Sequence, residues 1–434
     1  MFTKFFRNRQ RSALWRNHDF LNLWSAETIA QFGSQLSLVA VPLIAALTLD
    51  ASPLEMGILA ASGSAAGLIL GFIAGVWVDR LPRKPIMIAM DVGRALTFAA
   101  IPIAALMDIL TFQLLLVVAI LGGCQTVFFN AAWSAIIPNL VDRKHLSDAN
   151  GKLFASLSLA QVIGPALAGS LIGWFSGPMV MGITSGTFAW SGWFLTRIRH
   201  PEPPRNRSTP GSRPVLREIR EGLDELLGSK LVRPLTTSAA VLNFGGFIFL
   251  AVYVLYLTDD LGLSTSGVGL VFAAGGIGSL VGSIVAPTLA RTFGVGRTVL
   301  WSATIFGVGN MLVPLAILVP AYALPLIVAS ETIAWMSLIV FNINRFSLRQ
   351  ALTPDHLQGR VSSSTIAIIS GVQMLGSLMG GVIGQVFSVH TALIVGTVGM
   401  LVAAWWIWDS PIPGIRDMPE HPEEVFVEAG TVAA

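Results

Sequence analysis

Apolar residues run along this chain in unbroken blocks rather than at the spacing of a surface helix, and charge, Pro or Gly separates one block from the next. A hydrocarbon layer about 30 Å thick needs about 20 apolar residues per helical crossing. The blocks therefore predict twelve membrane-spanning helices, over 20–48, 54–78, 85–106, 111–133, 147–173, 177–196, 234–258, 265–289, 298–319, 322–345, 360–388 and 390–408. The expected fold class is an all-α integral membrane protein.

One connection behaves differently. Between the sixth and seventh blocks, Pro201, Pro203, Pro204 and Pro210 suggest an extended linker. After it, Val215, Leu216, Ile219, Leu223, Leu226 and Leu227 recur at helical spacing, with Arg217, Glu218, Arg220, Glu221, Asp224 and Glu225 on the opposite face. That pattern predicts a helix lying on the inner membrane surface, a strap between two halves or a regulatory element. The expected organisation is a six-helix half over 1–196, a central cytoplasmic loop over 197–233, a second six-helix half over 234–408, and a Glu-rich tail over 409–434.

Composition sharpens the class. Residues of the set AVILMFWYC make up 53% and charged residues 12% of the 434, about half the charge of an ordinary soluble domain. A cytosolic enzyme is excluded on that ground. The net charge of +3 does not point to nucleic acid, because the basic residues follow topology. With the N-terminus inside, the inner connections hold Arg80, Arg83 and Lys84, Arg143 and Lys144, Arg197 through Arg233, Arg291 and Arg297, and Arg349, while the outer ones hold no Lys or Arg. Both termini are expected in the cytoplasm. The single cysteine, Cys124, lies in an apolar block and reads as a packing residue, with no intrachain disulfide possible. No cleavable signal is seen before the first block, and a bacterial inner membrane is the expected location.

The two halves share a register. Gly67 and Gly278 are 211 positions apart, and the same offset relates Gly71 to Gly282, Arg80 to Arg291, Leu146 to Leu357, Gly169 to Gly380 and Gly173 to Gly384. Duplicated halves place a substrate site near the membrane midplane, with alternating access by rocking of one half against the other.

The stretch Gly75-Val-Trp-Val-Asp79-Arg80-Leu-Pro82-Arg83-Lys84, at the inner end of the second block, resembles the loop signature of the major facilitator superfamily. The resemblance implies that fold, with twelve helices in two six-helix halves, and a cytoplasmic latch built from Gly75, Asp79, Arg80, Arg83 and Lys84. Pro82 stands where that family usually has Gly, and Ala290 replaces the acid in the second half. Gly164-Pro165-Ala-Leu-Ala-Gly169 is similar to the antiporter motif of proton-coupled drug exporters, although Ala160 and Ser156 interrupt its upstream glycine spacing. Asn130 to Pro138 and Thr353 to Arg360 resemble the macrolide and enterobactin efflux branch. The likeness implies proton-coupled export of an amphipathic small molecule of drug, macrolide or siderophore type by a monomer in the lipid bilayer. An uptake symporter on the same fold, or a membrane binding or assembly protein, are the alternatives. The fourth block offers Gln125, Thr126 and Asn130 but no Arg, so coupling through an Arg there is not expected.

Ionisable groups within a span are costly and call for a partner or a function. Glu331 lies near the middle of the tenth block. Apolar burial disfavours the charged form of a carboxyl and suits it to carry a proton or to recognise a cation, with a structural hydrogen bond as the alternative. Glu27 shares a helical face with Gln31 and Gln35. It is a second candidate for proton coupling, and a partly hydrated helix end is the other reading. Asp91 and Arg94 are placed to neutralise each other, or to join the latch, and Asp91 is a third coupling candidate. Gln31, Gln35, Gln125, Asn243, Phe244, Phe247 and Trp335 are the candidate cavity residues. Glycines spaced by four, Gly67, Gly71, Gly75 and Gly376, Gly380, Gly384, predict close helix crossings. The chain carries no phosphate-binding Gly-Lys-Ser/Thr loop, no zinc-protease motif and no Gly-x-Ser-x-Gly turn, so neither ATP, metal, cofactor nor enzymatic chemistry is expected.

Overall fold

In a computed structural model, the described residues are 14, 17–141, 145–199, 224, 226–354 and 357–419. Among them are twelve helices of 20 residues or more: α1 (His18–Leu47), α2 (Pro53–Arg80), α3 (Arg83–Leu106), α4 (Phe112–Leu140), α5 (Leu146–Phe175), α6 (Gly177–Thr196), α7 (Val232–Leu255), α8 (Thr265–Phe293), α9 (Val295–Leu315), α10 (Ala323–Leu352), α11 (Gln358–Val386) and α12 (Val389–Trp408). Each falls on one of the apolar blocks. Eleven of the described spans are long and apolar enough to cross a membrane. The exception is α6, whose 20 residues include Gly, Ser, Thr and Trp in place of aliphatics. α4 and α10 run about two turns beyond the apolar block, because helix continues after hydropathy falls. The amphipathic segment lies largely outside the described residues; at its end Leu226 is buried and Leu227 exposed.

Local chemistry sets several helix starts. Ser52 and Glu55 form a reciprocal capping box at α2: the Ser52 backbone N–H donates to Glu55 Oε2 at 2.8 Å, and the Glu55 N–H to Ser52 Oγ at 3.3 Å. Ser264 and Ser388 accept from Gly267 and Thr391 to cap α8 and α12. The turns after α1 and α3 are tight enough that Asp50 and Asp108 take positive φ, where a short polar side chain is tolerated. Large apolar side chains face outward throughout, among them Leu96 at 70% and Ile284 at 68% exposure, as a lipid-facing surface requires.

The chain divides into two compact units, Met1–Ile44 with Ile69–Ser208, and Ala45–Leu68 with Thr209–Ala434. In the first, α3 packs on α6 and α4; in the second, α8 packs on α10, α7 on α12 and α11, and α9 on α10 and α12. The α3–α6 pairing thus recurs as α9–α12, in step with the sequence repeat. The N-terminal part of α2 belongs to the second unit because Gly57 lies against α11, where a Cβ would stand 2.7 Å from the Gly381 Cα and the Ser377 carbonyl oxygen. The glycine row on α11 makes the same kind of contact: a Cβ on Gly376 would meet the Phe244 carbonyl oxygen of α7 at 2.5 Å, and one on Gly380 would meet Ile248. Gly278 sits against the backbone of Thr332 on α10, so its segment serves helix packing.

These contacts predict that Gly278→Val lowers stability by about 1–3 kcal/mol, the usual cost of overpacking. Gly63→Ala, where a Cβ meets nothing within 4 Å, should leave the thermal midpoint in detergent unchanged. Equal midpoints for the two variants would contradict the packing role.

Candidate functional site

Among the described residues, each unit holds a polar cluster inside its spans that includes a buried carboxyl. In the first unit, α3 presents Asp91 and Arg94 on one face, three residues apart, and they form a fully buried ion pair. α6 brings Ser191, whose hydroxyl donates to Asp91 Oδ2 at 2.7 Å. The Arg94 guanidinium lies 4.2 Å from the centre of the Phe129 ring and 4.4 Å from that of Phe188, so its faces rest on aromatic π-clouds. α1 adds Glu27, buried and near enough to interact electrostatically with both Arg94 and Asp91. Gln31 donates to Glu27 Oε1, while Glu27 Oε2 has no hydrogen-bond partner. Glu27 is therefore no hydrated helix end.

The other candidates of this unit are dispersed. Gln35 packs against α5, where a Cβ on Gly164 would stand 2.5 Å from its Cβ, and Pro165 and Gly169 are buried in the same helix. Gln125 donates to Thr97 Oγ1 at 3.1 Å, and its Oε1 is unpaired. Lys84 Nζ donates to the carbonyls of Thr196 and Ile198 at 3.2 and 2.5 Å, completing the C-terminal end of α6. The side chains of Gly75, Asp79 and Arg80 lie outside the described residues; Arg83 opens α3.

In the second unit, α7, α8, α9, α10 and α12 enclose a cavity of about 150 Å³. Asn243, Phe247, Glu331 and Trp335 line it, as the sequence suggested. Phe244 does not; one position along α7, its backbone lies at the crossing with Gly376. The polar neighbours of the buried Glu331 carboxyl are the Tyr253 hydroxyl and the Trp335 indole, and the Tyr253 hydroxyl forms no well-shaped hydrogen bond. Asn243 is fixed at both ends, donating to the Ala239 carbonyl at 2.8 Å and accepting from Gln373 at 2.9 Å. Sequence reasoning missed Tyr253, Phe272, Phe306 and Asn310, which are also part of the lining. Tyr253 was within reach, because it shares a helical face with Asn243 and Gly246. The cavity offers one carboxyl, amide groups and aromatic faces. Among the described residues no cluster of His, Cys, Asp or Glu could hold a metal ion.

The ion pair of the first unit sets an expectation for stability. Arg94→Met should cost about 3–5 kcal/mol by leaving Asp91 uncompensated, with the double variant Asp91→Leu, Arg94→Met recovering most of the loss. Thermal midpoints of the two variants test this, and additive losses would contradict it.

Known proteins resemble the chain over nearly its full length. The family described as transmembrane secretion effector matches residues 11–432. The multidrug efflux pump Tap of Mycolicibacterium fortuitum is 27% identical over 393 residues, covering 88% of this chain and 93% of that protein. The enterobactin exporter EntS of Escherichia coli O9:H4 is 27% identical over 351 residues, covering 77% of this chain and 79% of the exporter. Among solved structures, a bacterial homologue of the iron transporter ferroportin, in an inward-facing state, superposes with a TM-score of 0.74 at 18% identity, over 92% of this chain and 99% of that one. That likeness is one of fold.

Proposed function

The chain belongs to the transmembrane secretion effector family, within the major facilitator superfamily, and from that premise we propose that it exchanges protons for amphipathic small molecules. It is a secondary transporter of the efflux type in a bacterial inner membrane, and not an enzyme. The multidrug and enterobactin transporters among its relatives support a substrate of drug, macrolide or siderophore type.

The observation that carries the reading is Glu331, a buried carboxyl opening onto a cavity walled by Tyr253, Phe247, Phe272 and Trp335. A carboxylate there is relieved of its uncompensated charge by a proton or by the cationic group of a substrate lying on the aromatic faces. The two occupants exclude each other, which is the condition antiport requires. Glu27 is the second proton site: its cluster carries one excess negative charge when all three ionisable members are charged, and a proton on Oε2 cancels it. Asp91 holds Arg94 in place for that exchange. Asn243 orients substrate in the cavity of the second unit.

Gly164, Pro165 and Gly169 supply the bend and close crossing of α5 on α1 through which the helices move. Gly75, Asp79, Arg80, Arg83 and Lys84 form the cytoplasmic latch, anchored on α6 through Lys84, with both termini in the cytoplasm and a monomer as the working unit.

Proton release from energised inside-out vesicles, on addition of lipophilic cations, macrolides or siderophores, tests the cycle. The intact protein should show a substrate-dependent flux, and Glu331→Gln and Glu27→Gln should reduce it to that of protein-free vesicles. Undiminished flux in Glu331→Gln would remove its coupling role, and no flux with any compound would defeat the antiport reading.

A further inference from the structure

α10 carries a second set of charges that the transport cycle above does not use. Arg345 and Arg349 lie one helical turn apart near its C-terminal end, the end that the Lys and Arg distribution assigns to the cytoplasm. Arg349 is 3% exposed. Its Nη1 donates to Thr365 Oγ1 at 2.9 Å and its Nη2 to Ser362 Oγ at 3.2 Å, both on the first turns of α11, while its Nε is buried without a partner. Arg345 has both Nε and Nη1 shielded from solvent and unbonded. Phe341 and Phe346 stand 5.6 and 5.0 Å from the respective guanidinium carbons.

Among the described residues no carboxylate pairs with either cation. Hydroxyls orient Arg349 but carry no charge, and among the described residues the salt bridges are Asp91 with Arg94 and Asp148 with Lys152, both in the other unit. Guanidinium groups stay protonated in proteins, and like charges at this spacing repel. A buried cation beside a half-buried one, both with orphaned N–H donors, is costly unless an anion completes them.

We propose that Arg345 and Arg349 form a binding site for a phosphate-type oxyanion, supplied either by the headgroup of an anionic phospholipid or by a free phosphate. Two forks on one helix face offer more donors than a single carboxylate can accept, whereas a tetrahedral anion with several acceptor oxygens can bond to both. Arg345 is seven residues from the end of α10, about 10 Å at the rise of an α-helix. It is also the last residue of the apolar block over 322–345, the expected edge of the hydrocarbon layer. Access is open on one flank, where Phe346 is 46% exposed beside Arg349.

The test is thermal unfolding of the full chain in detergent, titrated with short-chain phosphatidylglycerol, with phosphatidylcholine, or with inorganic phosphate. Phosphatidylglycerol or phosphate should raise the midpoint and phosphatidylcholine should not. A shift with phosphate alone in the bath identifies a free anion as sufficient; a shift with the lipid only assigns the headgroup. Arg345→Gln and Arg349→Gln should each weaken binding roughly tenfold, as loss of a charge-assisted hydrogen bond does. Arg291→Gln, an exposed cation on α8, should bind as the wild type does. If the Gln variants do not fold, Arg345→Lys decides, with weakened but measurable binding expected. No shift with either anion, or affinities unchanged by substitution of Arg345 and Arg349, would overturn the site.

Discussion

Within a hydrocarbon layer no water completes a hydrogen bond or screens a charge, so every polar group that the chain carries into its spans must be matched by another part of the chain. That constraint explains why charged residues are so few here and why those present are clustered. Asp91, Arg94, Ser191 and the rings of Phe129 and Phe188 form one such cluster, drawn from three helices. Thr and Ser side chains solve a smaller version of the same problem by bonding to carbonyls on the preceding turn, as Thr126, Thr332 and Thr397 do. Among the groups left unmatched against this background are one oxygen of Glu27, the amide oxygen of Gln125, and nitrogens of Arg94, Arg345 and Arg349.

Apolar surfaces cannot sort these helices, because lipid is as apolar as the side chains. Shape does the sorting. Small residues let two backbones approach until dispersion contacts accumulate along the crossing. α8 meets α10 at Gly278 and Gly282, and α7 meets α12 where Gly245 opposes Gly396.

The fold was legible because a span requires length and apolarity together, and both are local properties of the sequence. Span ends were less so: α4 and α10 continue as helix into sequence that hydropathy treats as loop. α6 shows the converse, since a helix packed against α3 can be rich in Gly, Ser and Trp and still occupy a span position. The Asp91–Arg94 pair was legible from its spacing on one helix. The approach of Glu27 to that pair was not, because it depends on how α1 sits against α3. The same distinction separates Trp335 and Phe247, which line the cavity, from Phe244, three residues before Phe247, which does not line it and whose carbonyl lies at the crossing with Gly376. Lys84 was read from a motif, and the bonds it makes to Thr196 and Ile198 come from a helix more than a hundred positions away.

The two acidic sites differ in what can neutralise them, and this difference gives the proposed cycle its direction. Glu27 faces a compensated ion pair, with its free oxygen enclosed, so a proton fits the place where a larger cation would have to displace Gln31 or Arg94. Glu331 faces open volume bounded by aromatic rings, where an organic cation can do what a proton does. A carrier with only the first kind of site would move protons without cargo, and one with only the second could carry substrate in either protonation state of the rest of the protein. Exchange requires the second site to be offered to both occupants in turn. It also requires that the empty, ionised site be too costly to carry across, and the burial of Glu331 in a low-dielectric wall supplies that cost.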